Sequence, residues 1–161
     1  MAIEILFKAK RTDNGEWVEG SLITGVFYRL GQDIPYIFCP KEADYDCFED
    51  FSEENGIFEA QPDTICQYTG LTDKNGKKIW ENDIVVHSYR RYEDSLDYPL
   101  WKSKVHKKNY AIKWDSTYSY CGFRYHNGRN IFPFKNGTVI NGNDEVIGNI
   151  FDNPELLGGG E

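Results

Sequence analysis

Short apolar runs rich in Val, Ile, Tyr, Phe and Trp recur along the chain, and Gly, Pro, Asn and Asp separate them. Such runs suit pleated, half-buried strands and the separators suit tight turns, so the pattern predicts a mostly β protein. Residues 3–8 are expected to form the first strand. Asp13-Asn14-Gly15 follows as a hairpin turn, because Asn and Gly tolerate the positive φ that tight hairpins require. Within residues 16–27, Gly20 and Gly25 point to bulges or close backbone approaches. Residues 34–39, 57–60 and 64–68 read as further strands, the last two around Pro62-Asp63. Asp73-Lys74-Asn75-Gly76 is a second hairpin signal, since Asn-Gly is among the strongest short-range turn cues. Ile79-Trp80 resumes the apolar pattern, Glu81-Asn82-Asp83 turns, and residues 84–87 form an apolar run suited to a strand buried on both faces.

Two stretches read less simply. Residues 41–55 carry Tyr45, Phe48 and Phe51 three apart, which fits one stripe of a short helix and equally a loop. Residues 88–109 are the longest stretch without periodicity, and a structureless loop of that length in a compact domain is either functional or mobile. Strands are expected at 110–114, 118–125 and 145–150, with turns across 128–142. Asp152-Asn153-Pro154-Glu155 opens a short helix, with Pro at its first position behind an amide or acidic cap. Residues 158–161 read as a flexible tail.

Composition narrows the class. Of 161 residues, 40% are apolar and 16% aromatic, enough side chain to offset conformational entropy and to exclude disorder throughout. No apolar stretch approaches the roughly 18 to 20 residues of a membrane span, and residues 1–10 hold three charges, unlike a secretory leader. The expectation is a soluble protein of the cytoplasm with no membrane partner. A net charge of −8 disfavours non-specific binding to phosphate backbones. The average hides a dipole. Residues 42–63 hold nine acids and no base, whereas residues 87–113 hold seven Lys and Arg against three acids.

Candidate chemistry is sparse. Cys39, Cys47, Cys66 and Cys121 show no C-x-x-C pair, so they read as reduced, small apolar residues, not as zinc ligands. His87, His106 and His126 stand far apart among polar neighbours and read as surface histidines. Phosphate-loop, dinucleotide and nucleophile-elbow motifs are absent, and Glu81 and Asp83 flank a turn in the way surface acids commonly do. No cofactor, metal or enzymatic activity is expected. The strongest contact candidate is Tyr89, Arg90, Arg91 and Tyr92 together with Trp101, Lys102, Lys104, Lys107 and Lys108. Its cations would neutralise phosphates or acidic side chains, and its aromatic rings would stack on unpaired bases or anchor a protein interface.

Residues 67–85, Q-Y-T-G-L-T-D-K-N-G-K-K-I-W-E-N-D-I-V, resemble the signature of the YopX family of phage and prophage proteins. Residues 10–23, K-R-T-D-N-G-E-W-V-E-G-S-L-I, are similar to the family's amino-terminal hairpin, and residues 146–157, V-I-G-N-I-F-D-N-P-E-L-L, to its carboxy-terminal ending. Two departures stand out: Asn82 replaces the usual Gly of E-G-D, and Cys66 stands where Gly often precedes Q-Y-T-G. Asn also occupies positive φ, so the turn is expected to survive. The resemblance implies an all-β protein with a small barrel roll of the Src-homology-three type and no enzymatic activity. An additional amino-terminal β region is expected over residues 1–60, including the acidic segment, and the barrel domain with one short C-terminal helix over 61–157. Gln67, Tyr68, Thr69, Gly70, Asp73, Gly76, Trp80 and Asp83 read as scaffold: Gly70 and Gly76 set turns, Tyr68 and Trp80 join the core with Ile79 and Ile84, and Asp73 and Asp83 cap backbone N–H groups. The functional expectation is a phage accessory module that binds protein, including copies of itself; the alternative is single-stranded nucleic acid held by residues 89–110.

Overall fold

A computed structural model describes residues 5–25, 28–29, 32–40, 55–90, 105–116, 122–126, 131–132 and 144–158. The chain forms two compact units, Met1–Gly70 and Leu71–Glu161. In the first, Gly15 at φ +74° lets the chain reverse between β1 (Phe7–Lys10) and β2 (Trp17–Ile23), which pair antiparallel from Phe7↔Gly20 to Lys10↔Trp17. The expected hairpin is present, with its first strand displaced toward the turn. β3 (Tyr28–Arg29) and β4 (Gln32–Asp33) make a separate small ribbon. β5 (Tyr36–Phe38) pairs with β2 and with β6 (Ile57–Glu59), and β1 also pairs with the start of β7 (Cys66–Thr72).

Alternation along β1 and β2 turns Ala9 and Val18 inward, where they pack with Ile37, Cys39, Phe58 and Ala60. Gly20 is a close approach: an added Cβ would lie 1.9 Å from the Phe38 carbonyl oxygen. Cys39 and Cys66 are buried and outside any disulfide, in keeping with the reading of them as small apolar residues, while Cys47 and Cys121 lie outside the described residues.

In the second unit, the Asp73–Gly76 turn, with Gly76 at φ +82°, leads from the end of β7 into β8 (Lys78–Trp80). A second turn follows at once. Asn82 sits at φ +67°, the conformation expected of the residue replacing Gly, and its carbonyl accepts from Ile150 N while its N–H donates to Ile112 O. Beyond it lies a five-stranded antiparallel sheet in the order β12-β11-β10-β9-β13. Its strands are β9 (Asp83–Arg90), β10 (Val105–Asp115), β11 (Gly122–His126), β12 (Ile131–Phe132) and β13 (Glu145–Asn149). Ile79, Val85, Tyr110, Ile112, Tyr125 and Val146 form the core. Ile84 and its neighbour Val85 expose nothing, so this part of β9 is buried on both faces as its apolar run predicts.

The all-β, barrel-type reading holds, with local differences, among them β12 within the residues read as turns. Residues 88–90 and 105–109 are strand, so the stretch read as structureless shortens at both ends. The short C-terminal helix is a single 3-10 turn, Pro154–Leu157. Pro154 opens it as expected, but Asn153 makes no side-chain cap, because its amide packs against Gly148, where an added Cβ would meet it at 2.5 Å. Asn149 supplies the local bonds instead, its Oδ1 accepting from Phe151 N and Asp152 N, each at 2.9 Å. The helix-or-loop alternative for residues 41–54 lies outside the described residues. No helix among the described residues is long and apolar enough to cross a membrane.

Candidate functional site

β9 and β10 are adjacent inner strands of the sheet, and they outrun their outer neighbours. β13 pairs with β9 only from Asp83 to Val86, and β11 pairs with β10 only from Ala111 to Asp115. The two strands nonetheless continue their own ladder, Lys108↔His87, Lys107↔Ser88, His106↔Tyr89 and Val105↔Arg90. Four further pairs extend the ribbon by about 13 Å past its neighbours among the described residues. Val105, His106 and Lys107 are exposed in succession, so both faces of β10 meet solvent at its start.

The ribbon is basic. Its residues 86–90 and 105–109 include Arg90, Lys107 and Lys108 and no acid. Among the described residues, neither Lys107 nor Lys108 forms an ion pair. Lys108 Nζ instead lies 5.7 Å from the centroid of the Tyr110 ring. Of the contact candidates, the ladder brings Tyr89, Arg90, Lys107 and Lys108 together; Arg91, Tyr92, Trp101, Lys102 and Lys104 lie outside the described residues.

A buried polar cluster holds the ribbon at its root. Asp144, just before β13, exposes none of its side chain, and its carboxylate meets His87 Nδ1 at 2.7 Å and accepts the Tyr125 hydroxyl. The His87 ring lies 5.2 Å from that of Tyr125 and 6.2 Å from that of Tyr110. Burial, and then the bond to the Asp144 carboxylate, push the Tyr125 hydroxyl far above the usual phenol range, so it stays a donor. On the other side of the ribbon root, Asn109 Nδ2 donates to Leu156 O at 2.9 Å. The surface reading of the histidines therefore fails at His87, whose side chain is 18% exposed, and holds at exposed His106. Asp144 escaped sequence reasoning altogether, since its partners come from other strands.

Asp73 and Asp83 of the signature cap backbone N–H groups as read, whereas Gly70 lies within β7 and Tyr68 stays outside the core. Asp73 Oδ1 accepts Asn75 N at 2.8 Å and Lys77 N at 2.9 Å, and its Oδ2 accepts Val146 N at 3.1 Å, tying the turn to β13. Burial pushes its carboxyl up, but the three N–H donors outweigh burial and hold it below the usual carboxylate range. Asp83 Oδ2 accepts Trp80 N at 2.9 Å. Gln67, Tyr68 and Thr69 are half-buried in β7, and Gly70 takes φ +81°. Among the described residues, no group of three or more His, Cys, Asp or Glu side chains could hold a metal ion.

The family model described as YopX protein matches residues 6–158. The chain belongs to the YopX family. No curated protein matches this YopX sequence. Among solved structures it is similar to protein EF1440 from Enterococcus faecalis, at 21% identity and a TM-score of 0.44, over 97% of this chain and 99% of that one.

Proposed function

We propose that this YopX family protein is a non-enzymatic accessory module of phages and prophages, at work in the bacterial cytoplasm, whose basic β9–β10 ribbon binds an acidic protein surface. A second copy of the chain is the first partner to test, because residues 42–63 supply nine acids without a base. The observation that carries the reading is the ribbon itself, a preformed two-stranded extension with Lys107 and Lys108 unmatched by any described carboxylate. Such cations steer association and fix the register of an interface more than they add affinity. Sedimentation velocity at about 50 and 500 mM salt tests self-association, with screening over roughly 14 and 4 Å setting the contrast. Association at low salt that Lys107→Glu weakens is the expected result. A strict monomer at every micromolar concentration removes the self-associating version, and an association indifferent to both salt and Lys107 removes the ribbon as its contact.

A second reading has one observation in its favour: the ladder sets Tyr89 across from His106, two steps along from the Lys108–His87 pair, a succession of rings and cations that suits single-stranded nucleic acid. The net charge of −8 weighs against it. Titration with labelled oligonucleotides at low salt decides; no binding below about 100 μM dismisses it.

A further inference from the structure

Lys108 and His87 face each other across the ladder, in the step of the ribbon nearest the sheet. Directly opposed residues share a face with Cβ atoms about 5 Å apart. Both converge on the same ring: Lys108 Nζ lies 5.7 Å and the His87 ring 6.2 Å from the Tyr110 centroid. Beneath them Asp144 is spoken for, since its carboxylate already accepts the Tyr125 hydroxyl and bonds His87 Nδ1. The imidazole is thereby oriented by a fully buried group, and the ammonium beside it has no carboxylate partner among the described residues. His106 stands two residues along β10 from Lys108, on the same side of the strand. One oriented ring, one unmatched ammonium and an aromatic wall make a preorganised place for a single oxyanion.

We infer that the His87–Lys108 step is an anion subsite that takes one carboxylate of an acidic protein segment. The assignment rests on the proposed function for the kind of partner, and it adds which residue meets the partner's charge, Lys108, with the oriented His87 ring as the wall beside it. A planar oxyanion lodged there satisfies the ammonium directly, while the buried Asp144 carboxylate keeps the ring from turning away. Lys107, on the other face of the ribbon, contributes to steering and not to this subsite.

The test uses the full chain and a hexaglutamate peptide, with inorganic phosphate and a dT oligonucleotide as competitors, followed by the NMR signals of the His87 ring and the Lys108 ε-methylene. Hexaglutamate is expected to move both signals saturably, and Lys108→Gln to weaken peptide binding about tenfold, with the core amide spectrum unchanged. Lys74→Gln, which removes the same charge from the turn before β8, where Lys74 pairs with Glu145, is expected to leave binding within about twofold. Signals at His87 and Lys108 that do not move with peptide overturn the subsite, even where Lys107→Glu still weakens association and the proposed function stands. Equal losses from Lys74→Gln and Lys108→Gln overturn it as well, since the attraction is then one of overall charge. Displacement of the peptide by dT at lower concentration than the peptide itself requires overturns the carboxylate assignment in favour of nucleic acid.

Discussion

His87 Nδ1 stands 2.7 Å from a carboxylate oxygen of Asp144, a residue without exposed surface, although 57 positions separate the two in the chain. That bond joins β9 to the segment entering β13, and the Tyr125 hydroxyl on the same carboxylate adds β11. Removing one partner of a buried hydrogen-bonded cluster leaves the others desolvated and unmatched, which costs about 1–3 kcal/mol for a neutral group and more for a charged one. Tyr125→Phe is expected to lose an amount in the smaller range and Asp144→Asn more, measured as shifts in the urea midpoint at unchanged slope.

The turn at Asp73 makes the pH dependence of folding specific. Its carboxyl is held below the ordinary range in the folded chain, so the unfolded chain takes up the proton first as pH falls. The stabilisation is complete above the unfolded value of about 4 and disappears as pH drops through the lowered folded value. Asp73→Asn retains one acceptor oxygen where the native carboxylate uses two, on Asn75 and Lys77 and on Val146. The variant is expected to lose about 1–3 kcal/mol at neutral pH and to show a flatter acid limb in denaturation followed from pH 7 to pH 2.

Gly20 and Asn82 make opposite predictions about a small side chain. Gly20→Ala forces a Cβ against the Phe38 carbonyl, a rigid ladder atom, and is expected to cost about 1–3 kcal/mol. Asn82→Gly suits φ +67° better but gives up the contact of the Asn82 side chain with Lys113, so it is expected to lie within about 1 kcal/mol of the native protein. Asn82→Ala loses the contact and keeps the strain, and is expected to be the less stable of the two. Thermal midpoints of the three variants check the ordering.

What the sequence made legible follows from where the physics is local. Asn75-Gly76, Asn82 and the capping roles of Asp73 and Asp83 depend on a few consecutive residues, and the structure has them as read. The apolar run at Ile84 and Val85 announced burial on both faces. The ribbon was illegible for the converse reason: period-two alternation arises from one buried face, and Val105, His106 and Lys107 have none. His87 looked like a surface residue because its sequence neighbours are polar, whereas its partners come from β11 and from the residue before β13. Register between distant strands assembled that cluster, and register is not written in any short window.

The claim on which the account turns is that the β9–β10 ribbon is already paired in the free protein and is the element a polyanionic partner meets. Hydrogen exchange at the cross-strand-bonded amides within residues 86–90 and 105–109, with and without hexaglutamate, measures both parts at once. Exchange far slower than the free-chain rate without peptide, and further slowing with it, is the predicted result. Exchange at the free-chain rate, or protection that the peptide leaves unchanged, contradicts it.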